Sequence, residues 1–299
     1  MAFDSLIRGG VLAALGTAPL AAQDTPAYAA TPVLPAQDAY PHVSRSGAVV
    51  FQSNRVGGWK LFVAQPDGSG LRQLTTGTSE DVTPVWSPDG TQVAFASTVA
   101  GNEDIWVIRA DGTGLRNVTN HASGDSHPNW SPDGRTIVFC SNRRDGRHDD
   151  VYTISIDGSN LRQISNSGNG YDTFPSLSPD GQRIVFRRLL QARTADSALL
   201  ANSEIFIMNA DGSNAKNLSR NGDFDGWPSW SPDGRRIAFS SNRSDGFQIF
   251  VMNADGSGVR QVHQSPYAEL RPQWFPDGRG IIFNRERDGL ISLLRVQVP

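Results

Sequence analysis

Cysteine is almost missing from this chain. Cys140 is the single one in 299 residues, so an internal disulfide is excluded and stability cannot depend on oxidation. It stands in the apolar run "IVFCSN" and reads as a small buried residue rather than a reactive thiol. An excess of either charge is missing as well. Lys+Arg 27 against Asp+Glu 30 leaves a formal net charge of −3, which gives no global attraction to nucleic acid or an anionic membrane. Beyond residue 30 no apolar stretch nears the length of a membrane span. Catalytic signatures are absent too: no G-x-S-x-G, no H-E-x-x-H, no phosphate-binding loop, no dinucleotide fingerprint. The five histidines (His42, His121, His127, His148, His263) are scattered along the chain, which argues against a histidine metal centre.

Glycine (30 residues) and proline (18) are plentiful, a loop-rich composition that argues against long helices. Residues 1–29 differ from the remainder. "VLAALGTAPLAA", preceded by Arg8 and followed by small residues, is too short to span a bilayer and fits a secretory signal cleaved after Ala22 or Ala29. A disordered Ala/Pro-rich segment is the alternative. Residues 30–299 are read as one domain.

That domain is written in copies. "PVWSPDGTQVAF" at 84–95, "PNWSPDGRTIVF" at 128–139 and "PSWSPDGRRIAF" at 228–239 are near duplicates. With their first proline as origin, the unit recurs at Pro41, Pro84, Pro128, Pro175, Pro228 and Pro272, at spacings of 43, 44, 47, 53 and 44. Each unit runs through Ser-Pro-Asp-Gly, an alternating run such as "RRIAFSSNR", a polar loop, a second apolar run closed by Asp-Gly, and a short final strand. Asp-Gly supplies the positive φ that a tight hairpin needs. Apolar residues that alternate or cluster in runs of four to six behave as strands. Four antiparallel strands per repeat of this length describe a propeller blade. The expected fold is all-β, a six-bladed β-propeller. A lone blade has two apolar faces and buries neither, so copying supplies each face with a partner. Trp86, Trp130, Trp230 and Trp274 are expected to wedge between blades, with Val43 and Leu177 in that role in copies one and four. The sixth copy ends without a fourth strand, and 30–36 is expected to complete it and close the ring.

These units resemble TolB-type propeller repeats, a branch of the WD-like propellers, through the pattern "PxWSPDGxxIAFxSNRxG…IFVMNADGSxxRxLT" across all six copies. The resemblance implies a periplasmic or secreted monomer that binds a cell-envelope protein or lipoprotein, with no nucleic acid, no membrane insertion and no catalysis of its own. The α/β domain that precedes the propeller in TolB finds no room ahead of the first copy. Similar repeats also form the propellers of prolyl-oligopeptidase-type peptidases, whose hydrolase domain this sequence lacks. Some similar propellers are lyases, so the alternative is a cation-dependent carbohydrate-active lyase or hydrolase.

Two sets of residues are candidates for the site. Three positions before every origin stands an acid: Asp38, Asp81, Asp125, Asp172, Asp225 and Glu269. A ring of six would collect a divalent cation such as calcium, or a basic segment, at one channel mouth. Alternatively Arg55, Arg143, Arg187, Arg243 and Arg285 neutralise the acids within their own copies, with Thr98 leaving Asp81 without an arginine. A two-residue hairpin turn would set Asp225 opposite Asn242. The second set is apolar and aromatic at the same mouth: Tyr40, Tyr171, Phe174, Trp227 and Tyr267, with Leu189, Leu190, Leu199 and Leu200 from the long fourth-copy loop. Together they are expected to form a partner-docking rim. "NGDFDG" at 221–226 resembles the start of a calcium loop, but Pro232 stands where the bidentate acid belongs, and an interblade turn is the better reading.

Overall fold

The structure, a computed structural model, describes residues 25–26, 37–190 and 202–298. They form six four-stranded antiparallel sheets and no helix. The first strands are Asp38–Val43, Asp81–Trp86, Asp125–Trp130, Tyr171–Leu177, Asp225–Trp230 and Ala268–Trp274. First strands of successive blades touch all the way round, the first against the sixth included, so the ring is closed. The fourth strand of the sixth blade is Thr25–Pro26, paired with Leu294 and Arg295. Closure therefore comes from the N-terminal side, as expected, but from a stretch ahead of 30–36. Residues 30–36 lie outside the described residues.

Each interface between blades holds one apolar core. Trp130, for example, joins Ala94, Ile105 and Val107 of blade two to Ile137, Phe139 and Ile154 of blade three. Trp86, Trp230 and Trp274 occupy the same place at their own interfaces. Val43 does so between blades one and six, with Ile282 and Leu293, and Leu177 between blades three and four. One phenylalanine per blade is fully enclosed: Phe51, Phe95, Phe139, Phe186, Phe239 and Phe283. Each contributes about 2–3 kcal/mol by leaving water. No blade could recover that alone, which is the physical reason for repetition.

The Asp-Gly turns have a second role. Gly212, at φ +91°, lies so close to the preceding blade that an added Cβ would overlap the Ile164 carbonyl oxygen. Gly256 meets the Leu218 carbonyl in the same way, at 2.8 Å. Here glycine permits close approach of blades as well as the turn itself.

Candidate functional site

Every first strand carries the same irregularity. In blade five Gly226 faces Ser240 and Ser229 faces Ala238, so Trp227 and Pro228 share one partner residue. This is a β-bulge, and it recurs in all six blades. Proline, which cannot donate to a ladder, is tolerated at such a position. The residue before it takes a left-handed backbone: Tyr40, Thr83, His127, Phe174, Trp227 and Arg271 all have φ between +52° and +58°. For side chains of this size the conformation costs of order 1–2 kcal/mol each.

Neighbouring blades hold these residues in place. Thr83 N–H donates to Gln52 Oε1 of blade one at 2.8 Å, and Arg271 N–H to Ser240 Oγ of blade five at 3.1 Å. Cys140 occupies the equivalent place in blade three, its sulfur 3.2 Å from Ser126 Oγ and 3.2 Å from His127 Nδ1. Burial pushes its thiol well above the ordinary range, so it is inert as a nucleophile.

The six bulge residues line one cavity of about 80 Å³ at the channel axis, together with His42, Val85, Asn129, Ser176, Gln273 and the origin prolines other than Pro272. That is room for a few waters or one small chemical group. The Arg271 guanidinium lies 4.0 Å over the Tyr40 ring and 5.2 Å from the Trp227 ring. Phe174 packs on His127 (3.9 Å between centroids) and edge-on to Trp227 (5.9 Å). Arg187 sits beneath, 4.9 Å from the Phe174 ring, and Nε donates to Thr173 Oγ1. Burial lowers its pKa to about 10, so it stays charged. Burial holds His42 down at about 4, and burial with the charges of Arg187 and Arg271 holds His127 at about 3. Both imidazoles are neutral at physiological pH. The lining among the described residues contains no carboxylate.

The six acids lie elsewhere, each held within the sheets. Asp125, Asp172, Asp225 and Glu269 have fully buried side chains, and Asp81 and Asp38 are 4% and 13% exposed. Asp38 pairs with Arg55 at 2.7 Å, Asp125 with Arg143 at 2.7 Å, Asp225 with Arg243 at 2.8 Å, and Glu269 with Arg285 at 2.6 Å. His263 also meets Glu269, at 2.9 Å. Asp172 uses Arg188, with Arg187 one residue away on the opposite face. Asp81, left without an arginine by Thr98, takes Lys60 from blade one at 3.3 Å and the Ser97 hydroxyl at 2.6 Å. Asp225 faces Ser241 rather than Asn242, because the bulge consumes one residue of the hairpin count. Among the described residues no three His, Cys, Asp or Glu side chains come together to hold a metal ion. The carboxylates anchor loops and do not face a common opening.

The rim residues divide. Tyr40, Phe174 and Trp227 line the cavity. Tyr171 stands against His148, 5.3 Å between centroids, and Tyr267 under Arg285 and Arg287, outside the lining. Leu189 belongs to the strand Arg183–Leu189 and is buried against expectation, while Leu190 is 46% exposed. Leu199 and Leu200 lie outside the described residues. Trp227 also packs on the buried Phe224 (5.1 Å between centroids) and on Phe247 (6.1 Å). Thr83 and Arg271 were not singled out by sequence, and His127 was weighed only as a metal ligand, although all three share the position of Tyr40, Phe174 and Trp227 just before the origin proline. The readable signal was an otherwise copied repeat whose residue there is different every time.

The family model described as TolB beta propeller domain matches residues 80–199 and 194–298. Among solved structures, a putative TolB from Agrobacterium tumefaciens is 24% identical with a TM-score of 0.66, over 89% of this chain and 92% of that one. TolB from Acinetobacter baumannii is 16% identical at a TM-score of 0.65, over 88% and 64%. An oligogalacturonate lyase from Vibrio parahaemolyticus is 12% identical at 0.60, over 88% and 91%. At these identities the likeness is one of fold. A curated relative, dipeptidyl-peptidase 5 of Porphyromonas gingivalis, is 37% identical over 81 residues, and the match spans only 12% of its length. No helix among the described residues is long and apolar enough to cross a membrane.

Proposed function

This chain belongs to the TolB beta propeller domain family, and we propose that it is a periplasmic or secreted binding module whose partner protein docks at the aromatic channel mouth. One observation carries the reading: six strained positions, one per blade, present Tyr, Thr, His, Phe, Trp and Arg side chains to a single lumen. Strain at every copy of a repeat persists only where the surroundings enforce it, and such positions cluster at ligand clamps. The set is also rich in the residue types that dominate binding energies, Trp, Tyr and Arg. With TolB-type repeats across the chain, a cell-envelope protein or lipoprotein is the partner proposed.

The test is photo-crosslinking in cells. A photoreactive residue at Phe247, beside the mouth, should capture a partner that one at Leu115, on the outer edge, does not. Purified partner should then bind with at least tenfold lower affinity to Trp227→Ala. Capture equal at both positions, or cleavage of oligogalacturonate by the purified chain, would overturn the reading.

A further inference from the structure

A second surface stands apart from the channel. Between blades four and five a groove of about 820 Å³ opens at the end of the blades that carries the Asp-Gly turns. Asn253 belongs to its lining, and the strand Gly246–Asn253 sets Phe247, beside the channel mouth, about 20 Å away along the chain. We propose that this groove receives an acidic, extended peptide segment of a partner protein, one in which Asp or Glu residues alternate with uncharged ones.

The groove is open because two clasps that close other seams are missing from it. At one fourth-strand position the copies carry Arg72, Arg116, Arg162 and Arg260, but blade four carries Lys216. Arg72 donates to the Ala110 carbonyl of the next blade, and Arg116 to the Ile156 carbonyl of the next. Lys216 makes no hydrogen bond or ion pair among the described residues, and Ala254, the equivalent of Ala110, lines the groove. The second clasp belongs to the second strand. Arg236 stacks on Trp274 and donates to the Gly278 carbonyl of blade six at 3.0 Å. Its counterpart Arg183 stacks on Trp230 at 4.9 Å and meets Asp180 of its own blade at 3.9 Å, with no such bond to blade five among the described residues.

Three cations line this space. Arg183 pairs with Asn209, and Lys216 with Ile207, across the strand Ser203–Asn209. Paired residues share a sheet face, and Ile207 packs with Trp230 of blade five, so both cations stand on the face turned to that blade. Arg235 lines the groove from the blade-five turn, its guanidinium without a hydrogen bond or ion pair among the described residues. One carboxylate of the lining opposes them, Asp255, whose Oδ1 already accepts from Ser257 N–H and Oγ. Asp180 and Asp233 are not part of the lining. The register sets the Arg183 and Lys216 backbones about 10 Å apart across the sheet and about 7 Å along it, which suits charges spread along a chain rather than one point charge. Acids two residues apart on an extended peptide are also about 7 Å apart. Asp255 repels a ligand charged at every unit, but it can accept a backbone N–H beside an uncharged residue. The volume lies in the range of about 300–1,000 Å³ that ligand clefts occupy.

The probe is the peptide Gly-Glu-Gly-Glu-Gly-Glu-Gly-amide labelled with tetramethylrhodamine, titrated with the full chain by fluorescence anisotropy at constant ionic strength. The matching Gln peptide is the neutral control. Saturable binding of the Glu peptide is expected, with the Gln peptide at least about tenfold weaker. Lys216→Arg separates a built groove from general attraction to a positive surface. It keeps the charge and supplies the side chain that clasps the next blade at Arg72 and Arg116, so it should weaken the Glu peptide about fivefold while melting no lower than the parent chain. Arg235→Gln, at an exposed residue, should weaken it about threefold. Equal affinity for the two peptides, or affinity unchanged in Lys216→Arg, would overturn the proposal. Displacement of the Glu peptide by tripolyphosphate or dextran sulfate, at a lower concentration of charge than by unlabelled Glu peptide, would assign the groove to those anions and overturn the peptide reading.

Discussion

Removing either member of the Arg243–Asp225 pair should give unequal losses, because the two groups are buried unequally. The Asp225 side chain is fully enclosed and accepts from Arg243 Nη2 at 2.9 and 2.8 Å and from Asn221 Nδ2 at 3.3 Å. Arg243 is 20% exposed, lies 5.3 and 5.2 Å from the Phe239 and Phe250 rings, and donates through Nε to Ser241 Oγ at 2.9 Å. Arg243→Met strands a buried carboxylate with one long amide contact, and should cost about 3–5 kcal/mol. Asp225→Asn leaves a guanidinium that keeps its ring stacking, its serine and a path to water, and should cost about 1.5–2 kcal/mol. The double variant Arg243→Met, Asp225→Asn removes the stranded charge and should be more stable than Arg243→Met alone. Urea midpoints at pH 7, with unchanged slopes, give the three values and the coupling between the sites. Equal losses in the two single variants, or additive losses in the double, would refute the account of these acids as internally neutralised anchors.

Glycine substitutions should separate two effects: Gly90→Ala, with nothing within 4 Å of its added Cβ, meets only the positive-φ penalty of about 1–2 kcal/mol, whereas Gly212→Ala must also displace the Ile164 carbonyl and should cost clearly more in thermal melts. Burial raises the Asp149 carboxyl to about 6 against the lowering effect of Arg187, so ionising it above that pH opposes folding and the penalty fades as pH falls toward 4. Asp149→Asn should therefore stabilise the protein by up to about 2–3 kcal/mol at pH 7.5 and have little effect near pH 4; an unchanged difference across that window would refute the assignment. Thr83→Gly relieves a strained φ of +52° and should raise stability by about 1 kcal/mol while weakening any ligand of the channel, readable by melting and titration of the same sample.

The six-copy frame, the blade count and the wedging tryptophans were legible because glycine turns and strand alternation recur at fixed offsets. What the sequence concealed traces mostly to one local event. The bulge at each origin proline adds a residue to the inner strand, which moves Asp225 from Asn242 to Ser241 and turns six residues into the lumen. A hairpin count cannot detect that insertion. The acids were visible as a constant column, but constancy reflected a constant structural task, met by Arg55, Arg143, Arg188, Arg243 and Arg285 within their own blades and by Lys60 from the preceding one. Which partner a buried carboxylate selects depends on strand length and face: Arg188 serves Asp172 because its strand continues to Leu189, and period two then sends Arg187 to the other side.

The lumen shows why this architecture separates stability from recognition. The cores lie between blades, and the acids brace the loops. The residue before each origin proline does neither task. Its backbone penalty is set by the left-handed φ and is similar for any side chain other than glycine. At Thr83 and Arg271 the N–H is met by a side chain of the preceding blade, so the clamp does not depend on what the lumen residue is. Selection can then change tyrosine to threonine, histidine, phenylalanine, tryptophan or arginine at that position without disturbing the blade that carries it. A fold built in this way can keep its walls and exchange its chemistry, since the positions that face the lumen are not those that hold the blades together.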